Sequence, residues 1–84
     1  MVMENQSVTI FGTWWCGDCF RTRQFFNKHK ITYLWVDIDE DQNAEEFVIK
    51  TNHGNRSVPT ILFEDGSILV EPTNTQLHEK LGVS

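Results

Sequence analysis

Two kinds of segment alternate along this chain: short runs of β-branched and aromatic residues, and stretches spaced for a helix. The first run, "SVTIF" (residues 7–11), reads as a strand ending at Gly12. Residues 16–30 hold no Pro and no Gly except Gly17, and Lys28, His29 and Lys30 bring positive charge to the far end, where a helix dipole favours it. A first helix is predicted there. "ITYLWVDI" (residues 31–38) is nearly continuous in apolar character, as expected of a strand covered on both faces. Ala44, Phe47, Val48 and Thr51 fall at i, i+3, i+4 and i+7, which predicts an amphipathic helix with Asp39 or Asp41 as its N-cap and Gly54 as its stop. "PTILF" and "SILVE" flank Asp65-Gly66, a dipeptide suited to a tight hairpin. Thr73 and Gln76 form a capping-box pattern ahead of Leu77 and Leu81, and Gly82 closes a third helix. The order is β-α-β-α-β-β-α. A right-handed β-α-β crossover makes the first two strands parallel, and the hairpin adds an antiparallel pair. The predicted class is therefore α/β, a mixed four-stranded sheet with helices on both faces.

Composition bounds the function. With 84 residues, of which 39% are hydrophobic and 12% aromatic, the chain is read as a single folded domain over residues 1–84. A net charge of −5 with only seven Lys and Arg, scattered along the chain, argues against nucleic acid as a partner, since phosphate binding needs clustered cations. "MVMENQSV" lacks a basic region followed by an apolar run, and no stretch approaches the ~20 apolar residues that span a bilayer. A soluble, monomeric, cytoplasmic protein without membrane association is expected. Two cysteines are too few for the disulfide framework of a small secreted fold, which agrees with a reducing compartment.

Those cysteines stand in "TWWCGDCF" (residues 13–20), a C-x-x-C pair at the junction of a strand and a helix. Cys16 falls at the helix N-terminus, where unsatisfied N–H groups and the positive dipole end favour a thiolate, and it is read as the nucleophile. Cys19, one turn on and more buried, is placed to attack a mixed disulfide on Cys16 and is read as the resolving thiol. Two plainer readings compete. The cysteines could be ordinary small core residues, although Gly17 and Asp18 between them suit a turn better than a core. A zinc site would need two further ligands, and His29, His53 and His78 lack partner spacing, so no metal is expected and His29 and His78 are read as solvated helix residues. Of the two indoles before Cys16, one is expected to pack on the sheet and the other to lie open beside the nucleophile. Asp18 is read as a modulator: it suits the first helical turn, while its charge opposes a thiolate two residues away unless Arg21 pairs with it at i, i+3. Val58-Pro59 opens the third strand. There a proline is either a simple start to the strand or a cis residue that leaves the Val58 backbone free for an extended substrate.

The cysteine pair in "WCGDC", together with "GNRSVPT" and "FEDGS" in that order, resembles the glutaredoxin family of the thioredoxin fold, in particular its short mycoredoxin-like members. The resemblance runs from about Val8 to Leu81. It implies a thioredoxin-like three-layer fold and a thiol–disulfide oxidoreductase that reduces protein disulfides, or mixed disulfides between proteins and a small thiol. No cofactor would be bound; glutathione or mycothiol would be the co-substrate, and thiolated or disulfide-containing proteins the partners. The resemblance further implies a groove formed by Thr13, Trp15, Arg56, the Val58 backbone, Pro59 and Thr73-Asn74-Thr75. Arg56 would pair with a carboxylate of the thiol, against the plainer reading of a solvated loop cation. Thr13 stands where many glutaredoxins carry a lysine, and "EPTNT" replaces the usual Gly-Gly and acidic pair, so the identity of the small thiol is left open.

Two other functions fit the same motifs. One is a thioredoxin-like electron donor to a reductase such as ribonucleotide reductase, itself reduced by a flavoprotein disulfide reductase. The other is a binding module, such as an iron–sulfur carrier holding a cluster between subunits through Cys16. Coupling to a flavoprotein and NADPH marks the first, and visible absorbance after anaerobic purification the second.

Overall fold

A computed structural model describes residues 8–83, so the N-terminal residues 1–7, including the first residue of the predicted strand at 7–11, lie outside the described part. The elements follow the predicted order: β1 (Thr9–Gly12), α1 (Gly17–Lys28), β2 (Leu34–Asp37), α2 (Gln42–Thr51), β3 (Thr60–Leu62), β4 (Ile68–Val70) and α3 (Asn74–Leu81). The strands form one sheet in the order β2-β1-β3-β4, with β1 and β2 parallel and the other two pairs antiparallel.

Strand alternation sorts the core into two halves. Ile10 is level with Trp35 and Ile61, and Ile61 with Leu69; all four belong to the cluster that packs against Phe25 and Phe26 of α1 and Leu77 of α3. One residue further along β1, Phe11 is level with Val36, and both pack on the other side with Ile38 and with Ala44, Phe47 and Val48 of α2. The result is three layers: α1 and α3, the sheet, then α2.

The local signals hold at most helix ends. Asp41, the second of the two candidates, caps α2 by accepting from the Ala44 N–H at 3.0 Å. The Thr73–Gln76 capping box is complete, and Gly82 ends α3 in the left-handed region at φ 67°. Other boundaries differ. Helix α2 ends at Thr51, with Asn52 rather than Gly54 at its C-cap, although Gly54, at φ 100°, still turns the chain and donates to Ile49 O at 2.8 Å. Helix α1 stops at Lys28 because Lys30 turns left-handed and Ile31 N–H bonds back to Phe26 O. The strand predicted over 31–38 shrinks to Leu34–Asp37 and lies at the sheet edge, so Leu34 is exposed rather than covered on both faces. The hairpin uses three residues, 64–66, with Phe63 and Ser67 bonded across it at 2.9 Å, and Gly66 alone of the three is left-handed.

Candidate active site

Strand β1 runs down the middle of the sheet and delivers the chain at Gly12 to the loop ahead of α1. Cys16 is the N-cap of that helix, in extended conformation, and its Sγ accepts the Cys19 N–H at 3.4 Å. A residue that caps a helix with its side chain satisfies an otherwise orphaned donor, and here the capping atom is the sulfur. Cys16 is half-buried and Cys19 fully buried, and both thiols are free. Burial, reinforced by Cys16, pushes the Cys19 thiol up to about 12 against the opposing pull of hydrogen bonding from the Thr13 backbone and the charge of Arg23. One sulfur is therefore reachable from solvent, and the other sits behind it as a protonated thiol.

The Val58–Pro59 bond is cis, and the Val58 carbonyl faces Cys16 Sγ at 3.9 Å. Pro59 is buried beneath it. This loop and the 13–15 loop form two walls beside the nucleophile, and one polar chain links them. Trp15 Nε1 donates to Asp39 at 2.9 Å, Arg56 bonds the other oxygen of Asp39, and Arg56 Nε reaches Glu45 at 2.5 Å. The Trp15 hydrogen bond and then the Arg56 guanidinium hold the Asp39 carboxyl below its usual range, and Glu45 and Asp39 raise Arg56.

The residues of the sequence-derived groove do not all face it in the same way. Thr13 is fully buried, so its side chain adds no accessible surface. Arg56 is engaged by two carboxylates, Asp39 and Glu45, rather than standing free as a solvated loop cation. Thr73 spends its backbone N–H and its hydroxyl on Gln76, and Asn74 accepts from Arg21 at 2.7 Å, while Thr75 is exposed. Arg21 also donates to Pro72 O at 2.9 Å and lies 3.7 Å from Asp18, the i, i+3 contact expected from sequence. At that length, with the Asp18 side chain 57% exposed, the pair is weak.

As expected, one indole ahead of Cys16 packs on the sheet and the other is open: Trp14 stacks on Trp35 of β2 at 4.9 Å, although still 60% exposed, and Trp15 is 71% exposed. One expectation is corrected. His29 and His78 are half-buried and pack with Phe25 between α1 and α3, and His78 Nδ1 is bonded to Val83 O at 3.0 Å. Sequence reasoning missed the bonds of Asp39 to Trp15 and Arg56, those of Arg21 to Asn74 and Pro72, and the place of Trp35 under Trp14. Asp39 was visible only as a possible helix cap, and nothing in the local pattern pairs it with Trp15, 24 residues away.

A three-layer α/β chain with a C-x-x-C pair opening its first helix, beside a cis-proline loop, has the architecture of the thioredoxin fold. Among solved structures, a thioredoxin-like protein superposes with a TM-score of 0.81 at 18% identity, covering 92% of this chain and 96% of that one. The glutaredoxin of Archaeoglobus fulgidus gives 0.73 at 21%, covering 94% and 96%. Likeness at that identity shows the fold. The glutaredoxin family matches residues 8–68. A protein of Mycobacterium tuberculosis that carries a glutaredoxin name is 42% identical over 79 residues, 94% of each chain. Mycoredoxin 1 of Corynebacterium glutamicum is 33% identical over 75 residues, 89% of this chain and 92% of that one. The chain belongs to the glutaredoxin family.

Proposed function

We propose that this protein is a thiol–disulfide oxidoreductase that reduces protein disulfides, or mixed disulfides between a protein and a small thiol, with Cys16 as nucleophile and Cys19 as resolving thiol. The observation that carries this reading is the asymmetry of the pair: Cys16 caps the helix with its sulfur and reaches solvent, while Cys19 is buried one turn behind it. The Cys16 thiolate attacks the small-thiol sulfur of a mixed disulfide, forming an S–S bond to it. The protein thiolate leaves and takes a proton from water. A second small-thiol molecule then attacks the adduct, releasing its own disulfide and the Cys16 thiolate; alternatively, Cys19 attacks Cys16 and expels the small thiol.

Glutathione or mycothiol is the co-substrate in this reading. Mycothiol is supported by the likeness to Mycoredoxin 1, while the engagement of Arg56 by Asp39 and Glu45 removes one cation that would favour the doubly carboxylated glutathione. The partners are thiolated or disulfide-containing proteins, and the protein acts as a monomeric single domain in the cytoplasm. Trp15, Val58, Pro59 and Thr75 supply the groove; Arg56, Thr73 and Asn74 shape it through their bonds, and Asp18 modulates Cys16.

The test compares Cys16→Ser and Cys19→Ser in reduction of a protein mixed disulfide with each small thiol. Loss of activity on Cys16→Ser with activity kept on Cys19→Ser identifies the monothiol route, and loss in both the dithiol route. Activity surviving in Cys16→Ser refutes the proposal.

A further inference from the structure

Arg23 lies one turn beyond Cys19 on α1, at the i, i+4 spacing that puts two side chains on one helix face. Its guanidinium stacks 4.5 Å from the centre of the Trp14 ring and 4.6 Å from that of Trp35, with the Phe20 ring at 5.9 Å. Arg21, Arg56 and Lys80 each meet a carboxylate, whereas among the described residues none lies within ion-pairing distance of Arg23. Its Nε is buried without a hydrogen-bond partner. A plain account would let the arginine stem cover apolar surface with its head in water. The buried Nε and the two indoles packed against the head do not fit that account.

Trp35 also reaches the site. A Cβ built on Gly12 would lie 2.6 Å from Cys19 Sγ and 2.7 Å from Trp35 Cη2, so the resolving sulfur and the indole against Arg23 converge on one Cα. Aromatic contact also differs from a salt bridge in its effect on a neighbour. A carboxylate partner would cancel the guanidinium's field, whereas aromatic rings attract the cation by their quadrupoles and leave its charge uncancelled.

We propose that Arg23, packed against Trp14 and Trp35, is a positioning residue for the resolving step, keeping a positive charge without a carboxylate partner near Cys19 that favours the thiolate form attacking Cys16. The proposal rests on the reading of Cys16 and Cys19 as a redox pair. In the step itself, the Cys19 thiol gives its proton to water and the resulting thiolate attacks Cys16 Sγ in the mixed disulfide. The Cys16–Cys19 bond forms, the bond from Cys16 to the small thiol breaks, and the departing thiolate takes up a proton from water. In the reverse direction an external thiolate attacks Cys16 and expels Cys19 as a thiolate, which the same charge stabilises. Of the ionisable groups that act on Cys19, Cys16 opposes its ionisation and Arg23 favours it. Trp14, 60% exposed, is one of the two indoles in contact with the guanidinium.

The experiment loads Cys16 of the full chain with 2-nitro-5-thiobenzoate and follows release of the coloured thiol as Cys19 attacks, between pH 7 and 9. Arg23→Met keeps the stem and volume and removes the charge; Arg23→Lys keeps a charge without the planar head. If Arg23 lowers the Cys19 ionisation by about one pK unit, Arg23→Met leaves about tenfold less thiolate. A more basic thiolate is intrinsically more nucleophilic, with a Brønsted slope of about 0.4–0.5, so release should slow about threefold at each pH. Arg23→Lys should recover at least half of that loss, and Trp14→Ala should show part of it. Release from Arg23→Met at the wild-type rate would overturn the proposal. An equal fall in Arg23→Met and Arg23→Lys would also overturn it, because packing rather than charge would then be at work. So would an Arg23→Met effect on exchange with an added thiol that persists when Cys19 is serine. The adduct is synthetic, so failure of the chain to act on protein mixed disulfides would not alter these outcomes.

Discussion

Replacing Gly12 by Ala tests the packing that places the resolving thiol. Gly12 ends β1 with an ordinary strand backbone, so alanine meets no conformational penalty there, and on backbone entropy alone it would stabilise the fold by about 0.4–1 kcal/mol. The added methyl, however, would stand 2.6 Å from Cys19 Sγ and 2.7 and 3.0 Å from two ring carbons of Trp35. Neither neighbour moves cheaply. Cys19 is fully buried within α1, and the Trp35 indole is held by Arg23 and Trp14 on one side and the core on the other. Overpacking of this kind costs about 1–3 kcal/mol, so the net loss should be about 1–2 kcal/mol, a fall in Tm of roughly 4–16 °C for a domain of this size. Gly17→Ala is the matched control: a Cβ there meets nothing within 4 Å, so the variant should match or exceed the parent by up to about 1 kcal/mol. Urea unfolding followed by tryptophan fluorescence measures both. A Gly12→Ala protein as stable as the parent, at unchanged urea dependence, would refute the close approach of strand, thiol and indole.

Iodoacetamide at pH 7.5 should label Cys16 and leave Cys19 unmodified until urea is added, because Cys19 is buried and its thiol is pushed up to about 12; mass mapping showing both sites labelled in the native protein would contradict this. Asp39 should titrate below the ordinary carboxylate value of about 3.9, so its bonds to Trp15 and Arg56 are complete above that pH and are lost as pH falls through the lower native value. Trp15→Phe and Arg56→Ala should each raise the Asp39 midpoint seen by carboxyl NMR, Trp15→Phe the more, and an unmoved midpoint would break the proposed link between the two loops. Thr73→Ala removes the N-cap of α3 and should cost about 1 kcal/mol in urea unfolding, with no effect expected on the accessibility of Cys16 to iodoacetamide.

Sequence pattern alone determined the element order, the layer architecture and the two-cysteine site, because each of these follows from short-range chemistry. Helical and strand periods, the Thr73–Gln76 box, the Asp65-Gly66 turn and the strand-to-helix placement of C-x-x-C are all legible within about a dozen neighbouring residues. Tertiary structure decided what meets across the chain. It cut the 31–38 run back to an edge strand, because only Leu34–Asp37 finds a partner in β1. It decided that Trp14, not Trp15, is the indole that packs on the sheet, through Trp35, and it bound Arg56 to Asp39 and Glu45. A side chain's partner depends on which strands pair and in what register, and charges or rings far apart in sequence carry no local mark of their meeting. The same holds for Arg23: the helix spacing places it one turn from Cys19, but only the folded sheet brings Trp35 to 4.6 Å from its guanidinium.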